Sequence, residues 1–360
     1  MKFRTIITLL LTTGSTAVVA GGFETTALST SFMYESGSYG EASFSSRTYD
    51  ITGTNYAPTG SAVKNLSKPA FAFKSDIFDN IAIGLSYYNQ GAVQLDYSGA
   101  GSPLAAGLPV VDLTIDALTL QAKYDYSKNI AVIAGIKNTT VQDASANIFQ
   151  RVSFPASTIT GKSEMGYIVG ASYSIPEIAF RTELIYETET NFSLDTANGV
   201  AGPGQTTGSI PDYMTLNFQS GVADGTLVFG SMRRADWSNH QLKVFPDPTD
   251  TSSFTNTTTI NVGIGRKITD ALSLIGTYGT EAKGDAAGSS LLSMTNGYQG
   301  ITLAGRYALE NATITAGYNY TVFGDKTIDP DGGASPSTTP EGSFTGNKVT
   351  GFGIKVGFSF

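Results

Sequence analysis

The side chains most suited to chemistry are few in this 360-residue sequence. His240 is the only histidine, and it lies in the polar segment Ser238-Asn239-His240-Gln241. A serine hydrolase needs a histidine that a third group holds beside the nucleophile, and this segment offers only loop residues. Cysteine is absent, which excludes a thiolate nucleophile, a thiolate metal site and a disulfide framework. We therefore predict that the protein is not an enzyme and has no catalytic residue or cofactor.

The sequence also contains no convincing motif for binding a metal ion or a nucleic acid. Asp329-Pro330-Asp331-Gly332 resembles part of a calcium loop but lacks the alternating carboxylates and the terminal glutamate of such a loop. The 22 basic residues are outnumbered by 30 acidic ones and form no run longer than two, so there is no basic patch to neutralise phosphates. The sequence therefore predicts no metal site and no nucleic-acid partner.

Charged side chains recur instead on one parity of several alternating segments, and both signs occur. They are Lys123, Lys137, Arg181, Glu183, Glu187, Lys267, Arg306 and Lys355. A general ion pore often carries a ring of charges of one sign. Mixed charges can instead pair across a lumen and hold a plug, which is our hypothesis for this set. A solvated lumen in which the charges have no further role is the alternative.

The segments that carry these charges alternate in the manner of β-strands. In the last ten residues the apolar parity consists of Phe352, Ile354, Val356, Phe358 and Phe360. A strand sends alternate side chains to opposite faces, so one face here is apolar and the other is small or charged. The same pattern recurs at 178–187, 259–267, 299–307 and 311–323. Soluble β-sandwiches alternate too, so alternation alone does not decide the architecture.

The spacing of turns helps to choose between a soluble sandwich and a membrane barrel. Short polar turns lie at 75–80, 126–129, 174–177, 222–225, 268–271 and 308–311. Long connections rich in Gly, Ser, Thr, Asn and Pro lie at 52–67, 98–110, 142–162, 190–211, 235–255, 284–296 and 325–344. Six turns join twelve strands, and one more strand at each end gives about fourteen, with both termini on the short-turn side. The sequence therefore predicts an all-β fold, a transmembrane antiparallel β-barrel whose apolar parity faces lipid and whose charged parity faces the lumen.

Residues 1–20 have the layout of a secretory signal peptide. Lys2 and Arg4 precede an apolar run, and Ala17-Val18-Val19-Ala20 places small residues before Gly21. Beyond residue 20, no window approaches the ~18 consecutive apolar residues of a transmembrane helix. We therefore expect cleavage after Ala20, export, and a membrane crossing made by strands.

Residues 21–38 precede the barrel, which we assign to 39–360, and they do not alternate cleanly. Their apolar members are Phe23, Leu28, Phe32 and Met33. These side chains have no strand face to occupy, and a free tail would leave them in water. We expect the segment to pack inside the barrel as a short plug.

The long connection at 98–111 is apolar where water is expected. Leu104, Leu108, Val110 and Val111 give it an apolar patch, and exposed apolar patches tend to mark binding sites. We expect this patch to capture an apolar ligand. The alternative is that Val110 begins the next strand.

Several segments spread over most of residues 21–360 carry a family resemblance. They are Gly22-Phe23 leading to Ser29 and Gly40, Phe71-Ala72-Phe73-Lys74, Ile81-Ala82-Ile83-Gly84-Leu85, Gly166 to Tyr173, Ile178-Ala179-Phe180-Arg181, and Arg233 to Trp237-Ser238. Together they resemble the FadL-type outer-membrane transporters of long-chain fatty acids and other hydrophobic compounds. The Asn-Pro-Ala motif of that family's hatch is missing, and the segment before the first strand is shorter than a full hatch.

The resemblance implies a bacterial outer-membrane barrel of fourteen strands with an N-terminal hatch. It implies uptake of a long-chain fatty acid or another hydrophobic small molecule by loop capture, binding in the lumen and gated passive diffusion, with exit into the membrane through an irregular strand. The expected capture residues are then Leu104, Leu108 and Val110. The expected gate residues are Phe23, Leu28, Phe32 and Met33.

The C-terminal aromatics Phe358 and Phe360 resemble the signal that the barrel-assembly machinery reads. We therefore expect this machinery and outer-membrane lipid as partners.

Three other functions stay open for such a barrel. A general diffusion porin for small polar solutes is the principal alternative, and it would conduct ions freely. An enzyme embedded in a barrel would depend on His240, and a structural or adhesion barrel would bind no ligand.

Overall fold

A computed structural model describes residues 21–55, 57–97, 109–147, 156–246, 250–284, 287–288, 290–328 and 342–360. The predicted signal peptide at 1–20, the capture residues Leu104 and Leu108, and the segment 329–332 lie outside these ranges. Among the described residues, no helix is long and apolar enough to cross a membrane.

Fourteen antiparallel strands of the described chain close into a barrel, which confirms the predicted fold. Their bounds are β1 Tyr39–Asp50, β2 Leu66–Phe78, β3 Ile81–Asp96, β4 Val110–Asp125, β5 Ile130–Val141, β6 Lys162–Ile175, β7 Phe180–Glu187, β8 Tyr213–Ala223, β9 Thr226–Ala235, β10 Thr257–Lys267, β11 Leu272–Glu281, β12 Tyr298–Ala308, β13 Ala312–Phe323 and β14 Lys348–Ser359. Each strand pairs with its neighbours along the chain. β1 closes the ring on β14 from Tyr39–Ser359 to Asp50–Lys348, so no strand edge is left open along this seam.

The outer surface of the barrel is apolar. Large hydrophobic side chains on the predicted outward parity are exposed on every barrel strand, among them Phe71, Leu85, Leu303 and Phe352. The exposed tyrosines of this surface include Tyr87, Tyr124, Tyr173, Tyr278, Tyr307 and Tyr318. Water would make so large an apolar surface costly, whereas lipid solvates it, and closure satisfies the backbone groups that lipid cannot.

The long loops fold together at one end of the barrel, and we call this region the cap. Its short strands, which form a second sheet, are Gly53–Asn55, Ala57–Pro58, Ala287–Gly288, Lys326–Ile328 and Gly342–Phe344. Its side chains join the upper ends of the barrel strands in one apolar cluster that includes Ile51, Tyr97, Leu292, Met294 and Phe344. The wall is also extended at this end by the strands Ala144–Asn147, Ser157–Ile159, Thr190–Asn198 and Gly202–Ile210.

Residues 21–38 run through the barrel, and we call them the plug segment. Gly21 lies beside the cap ends of β10 and β11. The segment then passes along β3, forms a 3₁₀-helix at Ser31–Tyr34 and enters β1 at the short-turn end. All four predicted gate residues are buried inside the barrel: Phe23, Leu28, Phe32 and Met33. Their role in gating remains a prediction.

Candidate functional site

The wall of the barrel is incomplete between β2 and β3. Their ladder begins at Phe78–Ile81 beside the short turn and ends at Phe71–Tyr87. The five residues of β2 that precede Phe71, on its cap side, pair with β1 but not with β3. Pro69 lies in this unpaired stretch, where its missing N–H leaves no donor for a neighbouring strand. The wall therefore has a gap between β2 and β3 on the cap side of the Phe71–Tyr87 pair.

A bulge in β3 causes the gap. The register of β3 against β4 shifts between Asn89 and Gly91, so Gln90 is an extra residue in the ladder. A bulge bends its strand. In the part of β3 that follows the bulge, side chains of both parities are buried, as Ala92, Val93 and Leu95 show. This part of the strand has therefore turned away from lipid.

The gap is closed again nearer the cap. Val63, in the connection before β2, forms a bridge with Leu95 of β3. Lys64 N donates to Gln94 O at 3.1 Å, and Asp96 N donates to Ala62 O at 2.9 Å. The opening is thus bounded by the Phe71–Tyr87 pair on one side and by this bridge on the other, and we call it the side window.

A cleft passes through the side window. Its outer lining includes Phe44, Phe71, Tyr87 and Ile354, which lie on the lipid-facing parity. Its inner lining includes Thr26, Ser29, Phe32 and Tyr88, which lie in the lumen. The plug segment and the lipid-facing surface therefore line one continuous space.

The inner part of the cleft carries excess positive charge. Its only carboxylate among the lining residues, Glu41, pairs with Lys355 at 3.1 Å. Arg47 and Lys68 also line the cleft, and neither makes an ion pair with any residue that the structure describes. An anionic group that entered the cleft would meet two uncompensated cations.

The plug segment is hydrogen-bonded to the bulge itself. Thr25 N donates to Gln90 O at 2.9 Å, and Ala92 N donates to Phe23 O at 3.0 Å. The Thr25 hydroxyl donates to Asn89 Oδ1 at 2.8 Å. A Cβ on Gly91 would lie 2.9 Å from Phe23 Cδ2, so glycine lets the two segments approach. The plug segment is therefore bonded directly to the strand that frames the side window, and its displacement would break these hydrogen bonds.

A buried charge network holds the plug segment to the opposite wall. Glu24 accepts hydrogen bonds from Arg233 of β9, the shortest being 2.6 Å from Nη2 to Oε1. Arg233 also donates to Glu187 of β7 at 2.8 Å, and Glu187 accepts from Lys137 of β5 at 2.9 Å. The Arg233 guanidinium lies 3.8 Å from the centre of the Tyr213 ring. Because both carboxylates are paired, the network can remain charged inside the barrel.

A second set of contacts holds the plug segment near the short-turn end. Thr30 and Tyr34 each donate a hydroxyl hydrogen bond to Glu183 at 2.6 Å. Arg181 stacks on the Tyr34 ring at 3.8 Å. A tyrosine hydroxyl keeps its proton at neutral pH, so Tyr34 is the donor in its hydrogen bond to Glu183.

The 3₁₀-helix itself packs closely against β3. A Cβ on Gly84 would lie 2.2 Å from Met33 Sδ and 2.6 Å from Phe32 Cε2. Phe32 and Met33 are 1 % and 0 % exposed. The lumen has no room for another side chain at this point.

The predicted luminal charges fall into two groups. Seven of the eight are buried or half-buried inside the barrel: Lys123, Lys137, Arg181, Glu183, Glu187, Arg306 and Lys355. The prediction for Lys267 is wrong. It is the last residue of β10, where the strand reaches the short-turn rim, so its side chain is 50 % exposed and pairs with Asp270 in the turn.

The other predicted site residues lie at the two ends of the barrel. Val110 is the first residue of β4, opposite Asp96, so it belongs to a strand rather than to a loop. Phe358 and Phe360 are 46 % and 79 % exposed on the outer surface at the short-turn end. Their use by the assembly machinery remains a prediction.

Sequence reasoning missed the bulge and the partner of Glu24. The segment Tyr88-Asn89-Gln90-Gly91 breaks the alternation of β3 and ends in glycine, which is a signal for a bulge. Arg233 is followed by another arginine, Arg234, so alternation alone assigns one of them to the lumen and one to the outside. Its ion pair with Glu24 joins residues 209 positions apart, and no local pattern indicates such a contact.

His240 does not form a hydrolase site. Its Nδ1 lies 2.6 Å from the Ser209 hydroxyl, but its Nε2 is 3.9 Å from the nearest Glu189 oxygen, which is too long for a hydrogen bond. The carboxylate that would orient the imidazole in a catalytic triad is therefore out of reach.

Solved structures with the same fold share little sequence with this chain. A Pseudomonas aeruginosa FadL homologue has a TM-score of 0.73 at 13% identity, and the match covers 92% of each chain. The Ralstonia pickettii toluene transporter TbuX has a TM-score of 0.61 at 11% identity, covering 91% of this chain and 90% of that one. The Pseudomonas putida toluene transporter TodX has a TM-score of 0.59 at 12% identity, covering 95% and 97%. No protein-family model and no curated protein matches the sequence.

Proposed function

We propose that this protein is a channel of the bacterial outer membrane that takes up hydrophobic small molecules and releases them sideways into the bilayer. The observation that carries the proposal is the side window, where luminal residues and lipid-facing residues line one cleft. The short-turn end faces the periplasm and the cap faces outward, as in other outer-membrane barrels. The proteins of the same fold support the proposal, since two of them are toluene transporters.

The energetics of such a route favour apolar cargo. Each CH₂ group that leaves water contributes about 0.8 kcal/mol, which tightens binding roughly fourfold. A molecule that moves from the lumen through the side window into lipid keeps this contribution, because it never returns to water. Transport down a concentration gradient then needs no external energy source.

Within this class we propose long-chain fatty acids as the cargo. Arg47 and Lys68 are the support for this choice, because an uncompensated pair of cations suits a carboxylate head group. Phe44, Phe71 and Ile354 offer an apolar surface for the chain at the outer end of the same cleft. A neutral hydrocarbon would gain nothing from the two cations.

The plug segment is the proposed gate of this route. Phe32 lines the cleft, and Phe23 lies against Gly91 of the bulge. Leu28 packs in an apolar cluster with Tyr88, another lining residue. Displacement of the segment would widen the cleft on its luminal side, while the frame of the side window stays in the wall. Capture by the loop at 98–111 remains part of the proposal.

Uptake by whole cells tests the function. The protein is expressed in a host whose outer membrane lacks such a channel, and the uptake of labelled oleate and of labelled toluene is measured. Oleate uptake above that of the empty host is the expected result. Toluene uptake without oleate uptake would overturn the choice of cargo, and uptake of neither would overturn the function.

The Lys68→Gln variant tests the head-group site. We expect it to slow oleate uptake about tenfold, the effect of losing one charged hydrogen bond, and to leave toluene uptake unchanged where it occurs. Lys162→Gln is the matched control, since Lys162 is half-exposed and pairs with Glu164 away from the cleft. Equal oleate uptake in the two variants would contradict the assignment.

A further inference from the structure

Gly21 occupies a pocket that recognises its backbone. Its N–H donates to Glu281 Oε1 at 3.1 Å, and its carbonyl oxygen accepts from Thr255 N at 3.0 Å. Glu281, the last residue of β11, is 4 % exposed. Its second oxygen accepts a hydrogen bond from the Thr259 hydroxyl at 3.1 Å. Both polar groups of Gly21 are thus bound by residues that are far away in the sequence.

The pocket has no room for side chains. A Cβ on Gly21 would lie 2.0 Å from Thr257 Cγ2 and 2.6 Å from Thr255 O. A Cβ on Gly22 would lie 2.2 Å from the Trp237 ring. The next residue, Phe23, fills the adjoining space, with its ring centre 4.6 Å from that of Trp237. The site therefore fits the sequence Gly-Gly-Phe at one register only.

Glu281 lacks a cation in this pocket. It makes no ion pair with any of the described residues, whereas the buried carboxylates of Glu24 and Glu187 are both paired. The charged neighbour that acts on it is Glu24, which has the same sign. An ionised carboxylate in such a place is strongly destabilising unless a cation accompanies it.

The sequence supplies a cation at this position. Ala17-Val18-Val19-Ala20 predicts cleavage of the signal peptide between Ala20 and Gly21. A signal peptidase would hydrolyse that peptide bond with one water molecule. The hydroxyl of the water would go to the carbonyl carbon of Ala20 and its proton to the nitrogen of Gly21. At neutral pH the new amine takes up one more proton from solvent and becomes an ammonium group.

We propose that the mature chain begins at Gly21 and that its α-ammonium group is the ion-pair partner of Glu281. The inference rests on the proposed export of the chain. Capture of an N-terminal amine by a built pocket is a known mode of recognition. Here it would fasten the start of the plug segment beneath the cap, so that removal of the signal peptide creates the group that seats the plug.

The reactivity of the N-terminal amine tests the proposal. The protein is purified in detergent, and mass spectrometry identifies its first residue, which we expect to be Gly21. The folded protein is then treated with an amine-acylating reagent at neutral pH, and modification of the N-terminal peptide is followed over time. Because only the neutral amine reacts, we expect the folded protein to react at least about tenfold more slowly than the heat-unfolded protein.

The Glu281→Gln variant keeps the shape of the side chain and removes its charge. We expect its N-terminal amine to lose this protection, while Glu310→Gln, in an exposed short turn at the other end of the barrel, keeps it. A first residue other than Gly21, or equal protection in Glu281→Gln and the parent, would overturn the proposal. Neither outcome depends on whether the protein transports anything, so the two proposals fail separately.

A chemical variant covers the case in which Glu281→Gln does not fold. Pyridoxal phosphate converts an N-terminal glycine amine into an uncharged aldehyde and leaves lysines intact. The parent protein is treated in this way while unfolded and is then refolded. Trp237, the only tryptophan, contacts Gly22 and Phe23, so its emission reports whether they are seated. We expect a red-shifted emission relative to untreated refolded protein, and an unchanged spectrum would also overturn the proposal.

Discussion

At the scale of single residues, the plug segment is held by a few buried polar contacts whose removal has a defined cost. Glu24 is the clearest case, since it is the only side chain of the segment in the charge network around Arg233. A hydrogen bond to a charged group contributes about 1.5–3 kcal/mol. The Glu24→Gln variant should therefore displace the plug segment about ten- to a hundredfold more often than the parent does.

Current recordings in planar bilayers can measure this effect, because each displacement of the plug segment should appear as a brief conducting event. Glu187 still pairs with Arg233 in the variant, so the barrel itself should fold. Glu164→Gln, which breaks an exposed pair with Lys162, is the control and should match the parent. An event frequency in Glu24→Gln no higher than in this control would show that the contact does not hold the plug.

Gly84 gives a steric test at the other end of the plug segment. A larger side chain there would collide with Phe32 and Met33, which have no space to retreat. Gly84→Leu should therefore expose the segment between Gly21 and Tyr39 to an added protease, whereas the parent should resist cleavage. Gly305→Leu is the control, since a Cβ at that position meets no atom within 4 Å. Identical digestion of the two variants would contradict close packing of the plug.

Glu35 makes the seating of the plug depend on pH. Burial raises the pKa of its carboxyl group, although Lys355 and Arg306 act in the opposite direction. The seated state therefore binds the proton more tightly than the unfolded chain does. Stability from this group is fully present below the usual pKa of a glutamate and is lost as the pH rises through the raised value. The midpoint of thermal unfolding should fall over this range in the parent and fall less in Glu35→Gln.

At the scale of elements, the bulge in β3 prevents β2 and β3 from pairing over their full length and so opens a route through the wall. Deletion of Gln90 removes the extra residue between Asn89 and Gly91 and should let β3 run on beside β2. Oleate uptake should then fall to the level of the host without the channel. Deletion of Val222, at the register shift between β8 and β9, is the matched control and should preserve uptake. Equal uptake in both deletions would mean that the cargo leaves by another path.

Alternation and turn spacing were sufficient to predict the elements, but the site depends on contacts that they do not encode. The strand number and the two faces follow from local rules, as the parity of Phe352 to Phe360 illustrates. Lys267 pairs in the turn rather than in the lumen, because parity does not encode where a strand ends. The bulge at Gln90 left a weak local signal, while Glu24–Arg233 and Gly21–Glu281 depend on how a closed barrel brings distant residues together.

At the scale of the whole molecule, plug segment and cap together should make the barrel a poor conductor. A general porin of similar strand number leaves an aqueous channel, whereas here buried side chains such as Phe32, Met33 and Arg233 occupy the lumen. Purified protein in planar bilayers should therefore show a far smaller steady current than a general diffusion porin in the same salt. A large, persistent current would favour the porin alternative and argue against a plugged transporter.

The filled lumen also affects how many copies of this barrel a cell can insert without admitting water-soluble toxins. An open pore of about fourteen strands would admit hydrophilic antibiotics and other water-soluble toxins with every molecule inserted. Here the plug segment occupies the lumen from Gly21 under the cap to Tyr34 near the short-turn rim, so we expect such compounds to be excluded. Under the proposed function, a bacterium can add copies of this channel without becoming more sensitive to such compounds.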